Sequence, residues 1–252
     1  ESLLERKAIM ELILAEKPSA ARNFAKALGG KTGNYAGTEY KITNLRGHVM
    51  GLLPPDKQVP TEKVEFYKSW DLENLPWNLN DFAWKKGILS GCKDIISGLK
   101  DELKEADCVV IATDVDPSGE GELLAWEALE KCGWRGPTKR MYFADEAPAS
   151  VQKAFRERKT LPSMDKDGDY VKAVVRERWD LASMQFTRAA TLVARKKGFR
   201  TVVRQGRLKS VMVKLTGDRI RQYENDVRKP KDGKLFEIAD ALDINPSTLA
   251  EP

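Results

Sequence analysis

The chain has 252 residues, 41% of them apolar and 32% charged, the balance of a water-soluble globular protein with one large or two small cores. No apolar run approaches the roughly 18 residues of a membrane span, and the charged first residues, Glu1 to Lys7, carry no secretory pattern. Three widely spaced cysteines offer neither a disulfide framework nor paired zinc spacing, the usage of a cytoplasmic protein; the single histidine, His48, speaks against histidine-ligated metal and Ser-His-Asp catalysis.

In chain order, Met10–Ala15 reads as a buried strand, and Glu16-Lys17-Pro18-Ser19 leads into a helix from about Ala20 to Leu28, stopped by Gly29 and Gly30. Glu16 and Lys17 therefore sit between a strand's carboxyl end and a helix N-terminus, a position that attracts phosphate. A second strand is expected at Tyr40–Leu45. Residues 51–84, with Pro54, Pro55, Pro60 and Pro76 among Trp70, Trp77 and Trp84, break the rhythm and read as an ordered insertion with little regular helix. Asp94 to Leu103 is predicted helical.

The β-branched run Cys108–Thr113 reads as a buried parallel strand, with Cys108 as packing. Its carboxyl end carries Asp114-Val115-Asp116-Pro117-Ser118-Gly119-Glu120-Gly121-Glu122. Open α/β sheets bind ligands at the carboxyl ends of their strands. Asp114 and Asp116, two apart in an extended segment, can lean toward one hard cation, and the glycines let the backbone turn into the next helix. The segment has the character of a magnesium site for phosphodiester chemistry.

A further strand is expected at Arg140–Phe143, and a helix from about Ser150 to Arg158. The alternation of strands and helices over residues 8–158 predicts an α/β domain, a parallel sheet with helices on both faces. From about Asp169 the spacing turns helical, and residues 159–225 read as a smaller, mostly α-helical segment with helices at about 169–195 and Gly206–Tyr223. Trp179 and Phe186 are available as base-stacking platforms, but core packing is the favoured reading for both. Between Arg188 and Arg221 stand eleven basic residues and one acid, Asp218. Such a concentration is the footprint of a polyanion partner, here nucleic acid. Residues 226–252 read as a polar linker and a short helical tail.

Taken together, Glu16 after the first strand and Asp114-x-Asp116 after a later one resemble the Toprim domain shared by topoisomerases, bacterial primases and some nucleases. Further segments narrow the likeness to type IA topoisomerases of the topoisomerase III kind: Arg46-Gly47-His48-Val49, Glu120-Gly121-Glu122-Leu123-Leu124-Ala125-Trp126, Arg140-Met141-Tyr142-Phe143, Asp180 to Ala189, and Gln205-Gly206-Arg207-Leu208-Lys209-Ser210. The likeness spans roughly residues 9–225. Two features depart from it. Pro117-Ser118-Gly119 replaces a single spacer, which carries Glu120 further from Asp116. None of Tyr35, Tyr40, Tyr67, Tyr142, Tyr170 and Tyr223 has the family's Y-P-R-T-type context of the nucleophile.

The resemblance implies Mg2+ held by Glu16, Asp114, Asp116 and Glu120, with Glu120 open between ligand and helix-dipole partner, and Glu122 serving that dipole. Glu16 would handle the proton of the leaving oxygen, and Lys17 would stabilise charge on the scissile phosphate. His48, Arg176, Asp180, Arg188, Gly206, Arg207, Lys209 and Ser210 would contact single-stranded DNA, although Arg176 and Asp180, one helical turn apart, can also hold each other. The expected function is the metal- and strand-binding part of a type IA topoisomerase, its tyrosine module supplied by a longer parent chain or a second polypeptide, without nucleotide cofactor or membrane. A Toprim-class magnesium-dependent nuclease and a non-catalytic DNA-binding accessory protein are the alternatives.

Overall fold

The computed structural model describes residues 9–204. The elements follow in order: β1 (Met10–Ala15), α1 (Pro18–Leu28), β2 (Thr32–Tyr35), β3 (Thr38–Asn44), β4 (Met50–Leu52), α2 (Pro55–Gln58), α3 (Val64–Lys68), β5 (Lys86–Ile88) and α4 (Lys93–Glu102). They continue with β6 (Cys108–Ala112), α5 (Glu120–Cys132), β7 (Thr138–Arg140), α6 (Pro148–Arg156), β8 (Lys159–Thr160) and α7 (Gly168–Lys196). The main sheet runs β2-β3-β1-β6-β7-β8, with β3, β1, β6 and β7 parallel and the two edge strands antiparallel. This is the α/β class that the alternating pattern predicts, followed by a helical part.

Side chains alternate across a strand, so one apolar run feeds two cores. Leu12 and Leu14 of β1 pack with Val109 and Ile111 of β6 against Ile96 and Leu99 of α4 and Leu124 and Leu129 of α5. Ile13 and Ala15 pack with Val110 and Ala112 against Phe24 of α1 and Val151 and Phe155 of α6. Each fully buried Leu, Ile or Phe contributes about 1.5–3 kcal/mol. Two covered faces explain why β1 and β6 read as continuous apolar runs.

The proline- and tryptophan-rich insertion is ordered around its own apolar cluster of Val59, Tyr67, Trp77 and Phe82, which Leu181 of α7 joins. Gln58, wholly buried, donates to Leu53 O (2.7 Å) and Lys85 O (2.9 Å) and accepts from Lys85 N–H (2.6 Å), tying the insertion's ends together. The chain divides into two units at Phe186/Thr187, inside α7. Residues 159–186, expected to open the second domain, belong to the first unit because Leu181 joins this cluster and Asp167 accepts the Trp126 indole N–H at 2.8 Å. In the second unit, Val203 N–H donates to Thr191 Oγ1 at 3.0 Å, and Arg195, Lys196, Lys197, Arg200 and Arg204 are exposed.

Several local expectations are corrected. β7 lies earlier than predicted, ending at Arg140 where the strand was expected to begin, although Met141 beyond it stays buried and its N–H donates to Ile111 O at 3.0 Å. α6 starts earlier, at Pro148, whose fixed φ suits a first helical turn. Trp179 and Phe186 are not core residues: they are 56% and 57% exposed. The buried stripe of α7 includes Leu181, and Trp179 lies about 200° around the helix from it. The expected helix from Gly206 to Tyr223, the tail, and Gly206, Arg207, Lys209 and Ser210 lie outside the described residues.

Candidate metal centre

Glu16 and Lys17 follow β1 directly. Parallel pairing sets Ala15 opposite Ala112, so the ends of β1 and β6 lie side by side and the Glu16 and Asp114 loops meet. Asp114 N–H donates to Glu16 Oε2 at 3.1 Å, and Lys17 Nζ donates to Asp114 Oδ2 at 3.2 Å. Two residues on, Asp116 folds back on its own loop: Oδ1 accepts from Ser118 N–H (2.7 Å) and the Ser118 hydroxyl, and Oδ2 lies 3.4 Å from Gly121 N. Gly119, with φ of 74°, reverses the backbone into α5.

Glu120 opens α5, and its charge helps raise Glu16, but its own oxygens are engaged by other groups. Its Oε1 lies 2.7 Å from His48 Nε2, and its Oε2 is held by Arg176 Nη2 of α7. The Arg176 guanidinium, which the sequence allowed to hold Asp180, reaches across to Glu120 at the start of α5. Asp180 lies one turn further along α7, half-buried, and Arg188 is buried in the second unit.

The site's frame is a residue that composition and spacing do not single out. Arg140, at the end of β7 and wholly buried, donates through Nε to Glu122 Oε1 (2.7 Å), through Nη1 to Thr113 O (2.6 Å), and through Nη2 to Asp114 O (3.1 Å). Glu122 is accordingly no exposed helix-dipole partner. It is 2% exposed and neutralises Arg140. Thr113 Oγ1 donates to Gly121 O at 2.8 Å, closing the loop between β6 and α5. The one sequence signal was an arginine heading an otherwise apolar strand end, Arg140-Met141.

The electrostatics differ among the carboxylates. Partial burial holds the Glu16 carboxyl above the usual range; the Asp114 N–H bond opposes this, and the Asp114 charge adds to it. Burial also works against ionised Asp116, but the Ser118 hydroxyl and N–H and the Gly121 N–H outweigh it and hold the group low. His48, then Arg176, lower Glu120. The hydrogen bond and charge of Asp114 raise Lys17, keeping the ammonium protonated. A raised Glu16 means that the folded state binds more protons than the unfolded one, so stability falls as pH climbs from the ordinary value of 4.5 through the raised one. Glu16→Gln is expected to remove that falling limb; metal-free thermal denaturation from pH 4 to pH 8 checks it, and an unchanged profile would contradict the assignment.

Donor chemistry fits a hard divalent cation: Glu16, Asp114 and Asp116 offer only oxygen, from adjacent strand ends beside the start of α5. Among the described residues no three candidate ligands already converge on one point, each carboxylate being engaged by a protein donor. Glu120 fits least, since both its oxygens are taken by His48 and Arg176.

Comparison with known proteins agrees with this architecture. The Toprim domain family model matches residues 11–145, more than half of the chain, and the chain belongs to that family. Within it, the chain is similar to DNA topoisomerase 3. It is 30% identical to that of Bacillus subtilis over 71% of this chain and 24% of the relative, and 30% identical to that of Staphylococcus epidermidis over 59% and 20%. It spans between 20% and 28% of the length of these and similar curated relatives. Among solved structures, full-length topoisomerase I from Thermotoga maritima superposes with a TM-score of 0.56 at 21% identity, covering 84% of this chain and 30% of that one, and shares the fold. No described helix is long and apolar enough to cross a membrane.

Proposed function

We propose that this chain is the magnesium- and strand-binding part of a type IA topoisomerase, acting on single-stranded DNA by phosphoryl transfer. The observation that carries the proposal is the meeting of Glu16 and Lys17 with Asp114 at the ends of two adjacent parallel strands. Glu16, Asp114 and Asp116 would hold Mg2+, which when bound neutralises charge on a transferring phosphoryl group. In the cleavage step Glu16, whose carboxyl is shifted upward by partial burial, would instead handle the proton of the leaving 3′ oxygen, joining the metal only in the resealing step. Lys17 supplies a fixed positive charge beside it. His48 and Arg176 would hold backbone phosphate, and the exposed basic residues of the second unit would offer phosphate contacts of their own. Free cysteines, Cys92, Cys108 and Cys132, accord with a cytoplasmic setting.

The nucleophilic tyrosine is not assigned to this chain. Tyr40 is buried and its hydroxyl donates to Leu28 O (3.0 Å); Tyr67 is buried and donates to Asp81 Oδ2 (2.7 Å). Neither hydroxyl is available to a strand. The test is to incubate the purified chain with end-labelled single-stranded DNA and Mg2+, then quench with denaturant. A complex that weakens with salt, with neither covalent adduct nor cleaved product, is the expected result. An adduct would place the nucleophile among the chain's own tyrosines. Free product abolished by Asp114→Ala would make the chain a nuclease, and absence of binding would sink the proposal.

A further inference from the structure

His48, Glu120 and Arg176 come from three separate elements and meet on one carboxylate. His48 lies in the loop after β3, just past Gly47 with its φ of 76°; Glu120 is the first residue of α5; Arg176 projects from α7. Each oxygen of Glu120 is met by a different base: Oε1 by His48 Nε2 at 2.7 Å, Oε2 by Arg176 Nη2. Two donors set to grip two oxygens of one anion suit the two non-bridging oxygens of a phosphodiester as well as a carboxylate.

The seat is open to exchange. The three side chains are 39%, 40% and 25% exposed for His48, Glu120 and Arg176, so an incoming anion meets these donors at the surface. Glu120 is also delivered by the part of the chain that departs from the family spacing, Pro117-Ser118-Gly119. Over this stretch Asp116 is turned onto Ser118 and Gly121, and Glu120, the first residue of α5, gives its two oxygens to His48 and Arg176.

We infer that Glu120 is an internal stand-in for a strand phosphate, occupying the His48–Arg176 seat in the free protein and leaving it when single-stranded DNA binds. The inference rests on the strand-binding function proposed above. It follows that the free chain holds its own phosphate seat shut. Apparent affinity for a strand is lowered by the fraction of molecules in which the seat is filled.

The test uses the full chain without divalent metal and a fluorescein-labelled oligothymidylate. Anisotropy gives affinities at one fixed salt concentration for the parent chain, Glu120→Ala, Arg176→Ala and the double variant. Glu120→Ala is expected to bind about fivefold tighter, and the same change in the Arg176→Ala background to gain less than about twofold, because the two groups share one seat. A gain that survives in the Arg176→Ala background would show mere removal of negative charge, and weaker binding by Glu120→Ala would make Glu120 a brace; either overturns the inference. His48 is the only histidine, so its ring resonances report the seat without ambiguity. They are expected to shift when the oligonucleotide is added to the parent chain, and to start from a different position in Glu120→Ala. Unmoved ring resonances during measurable binding overturn the stand-in but leave strand binding intact, whereas absent binding overturns both.

Discussion

Arg140→Met is expected to destabilise the fold by about 3–5 kcal/mol, the cost of breaking a buried ion pair by removing one partner. The guanidinium is fully buried and spans Glu122, Thr113 and Asp114 in one fork. Methionine would leave the Glu122 carboxylate, 2% exposed, without a cation, and the carbonyls at the end of β6 without donors. A loss of that size is a large share of a domain's typical stability of roughly 5–15 kcal/mol. Urea denaturation followed by tryptophan fluorescence measures it. The double variant Arg140→Met, Glu122→Leu is expected to recover part of the loss, since no uncompensated charge then remains buried. Equal losses in the single and double variants would mean that the pair matters only through packing.

Gly121→Ala is expected to have the next largest effect, read in the geometry of the site as well as in stability. A Cβ at this position would lie 2.1 Å from Asp114 O and 3.0 Å from Thr113 Oγ1. The obstructing atom is backbone, so relief requires the Asp114 loop to move away from α5. That motion strains the Thr113–Gly121 bond and the Arg140–Asp114 bond together. Overpacking of this kind costs about 1–3 kcal/mol. Thermal denaturation gives the stability change. A fall in Mn2+ affinity beyond that of a destabilised control such as Leu129→Ala, remote from the loop, would show that the loop has shifted. Wild-type affinity in Gly121→Ala would show that the carboxylates tolerate the displacement.

The sheet and its ligand edge were legible because β1 and β6 are covered on both faces. A strand with two covered faces must be apolar throughout, and Met10–Ala15 and Cys108–Ala112 are nearly so. Their polar exits, Glu16-Lys17 and Asp114-Val115-Asp116, therefore stood out. The edge strand β2 did not, because Thr32-Gly33-Asn34-Tyr35 is largely exposed and carries no apolar run. The hairpin of β4 and β5 joins segments far apart in sequence, which no local pattern encodes. The same distance hid the frame of the site. Arg140 and Glu122 read locally as a strand-end cation and a first-turn acid, and only β7 packing beside β6 turns them into a buried pair. Glu120 was left open between ligand and dipole partner because its ties, to His48 and Arg176, lie far off in sequence.

The account rests above all on a divalent metal held at the meeting of β1 and β6, which direct titration of the full chain tests. Mn2+, an oxygen-seeking stand-in for Mg2+, is titrated into the protein and the free ion read by electron paramagnetic resonance. The account predicts a site that Mg2+ displaces, that is lost in Asp114→Asn and in Asp116→Asn, and that persists in Glu120→Gln. Binding unchanged in both aspartate variants, or abolished by Glu120→Gln alone, would contradict it.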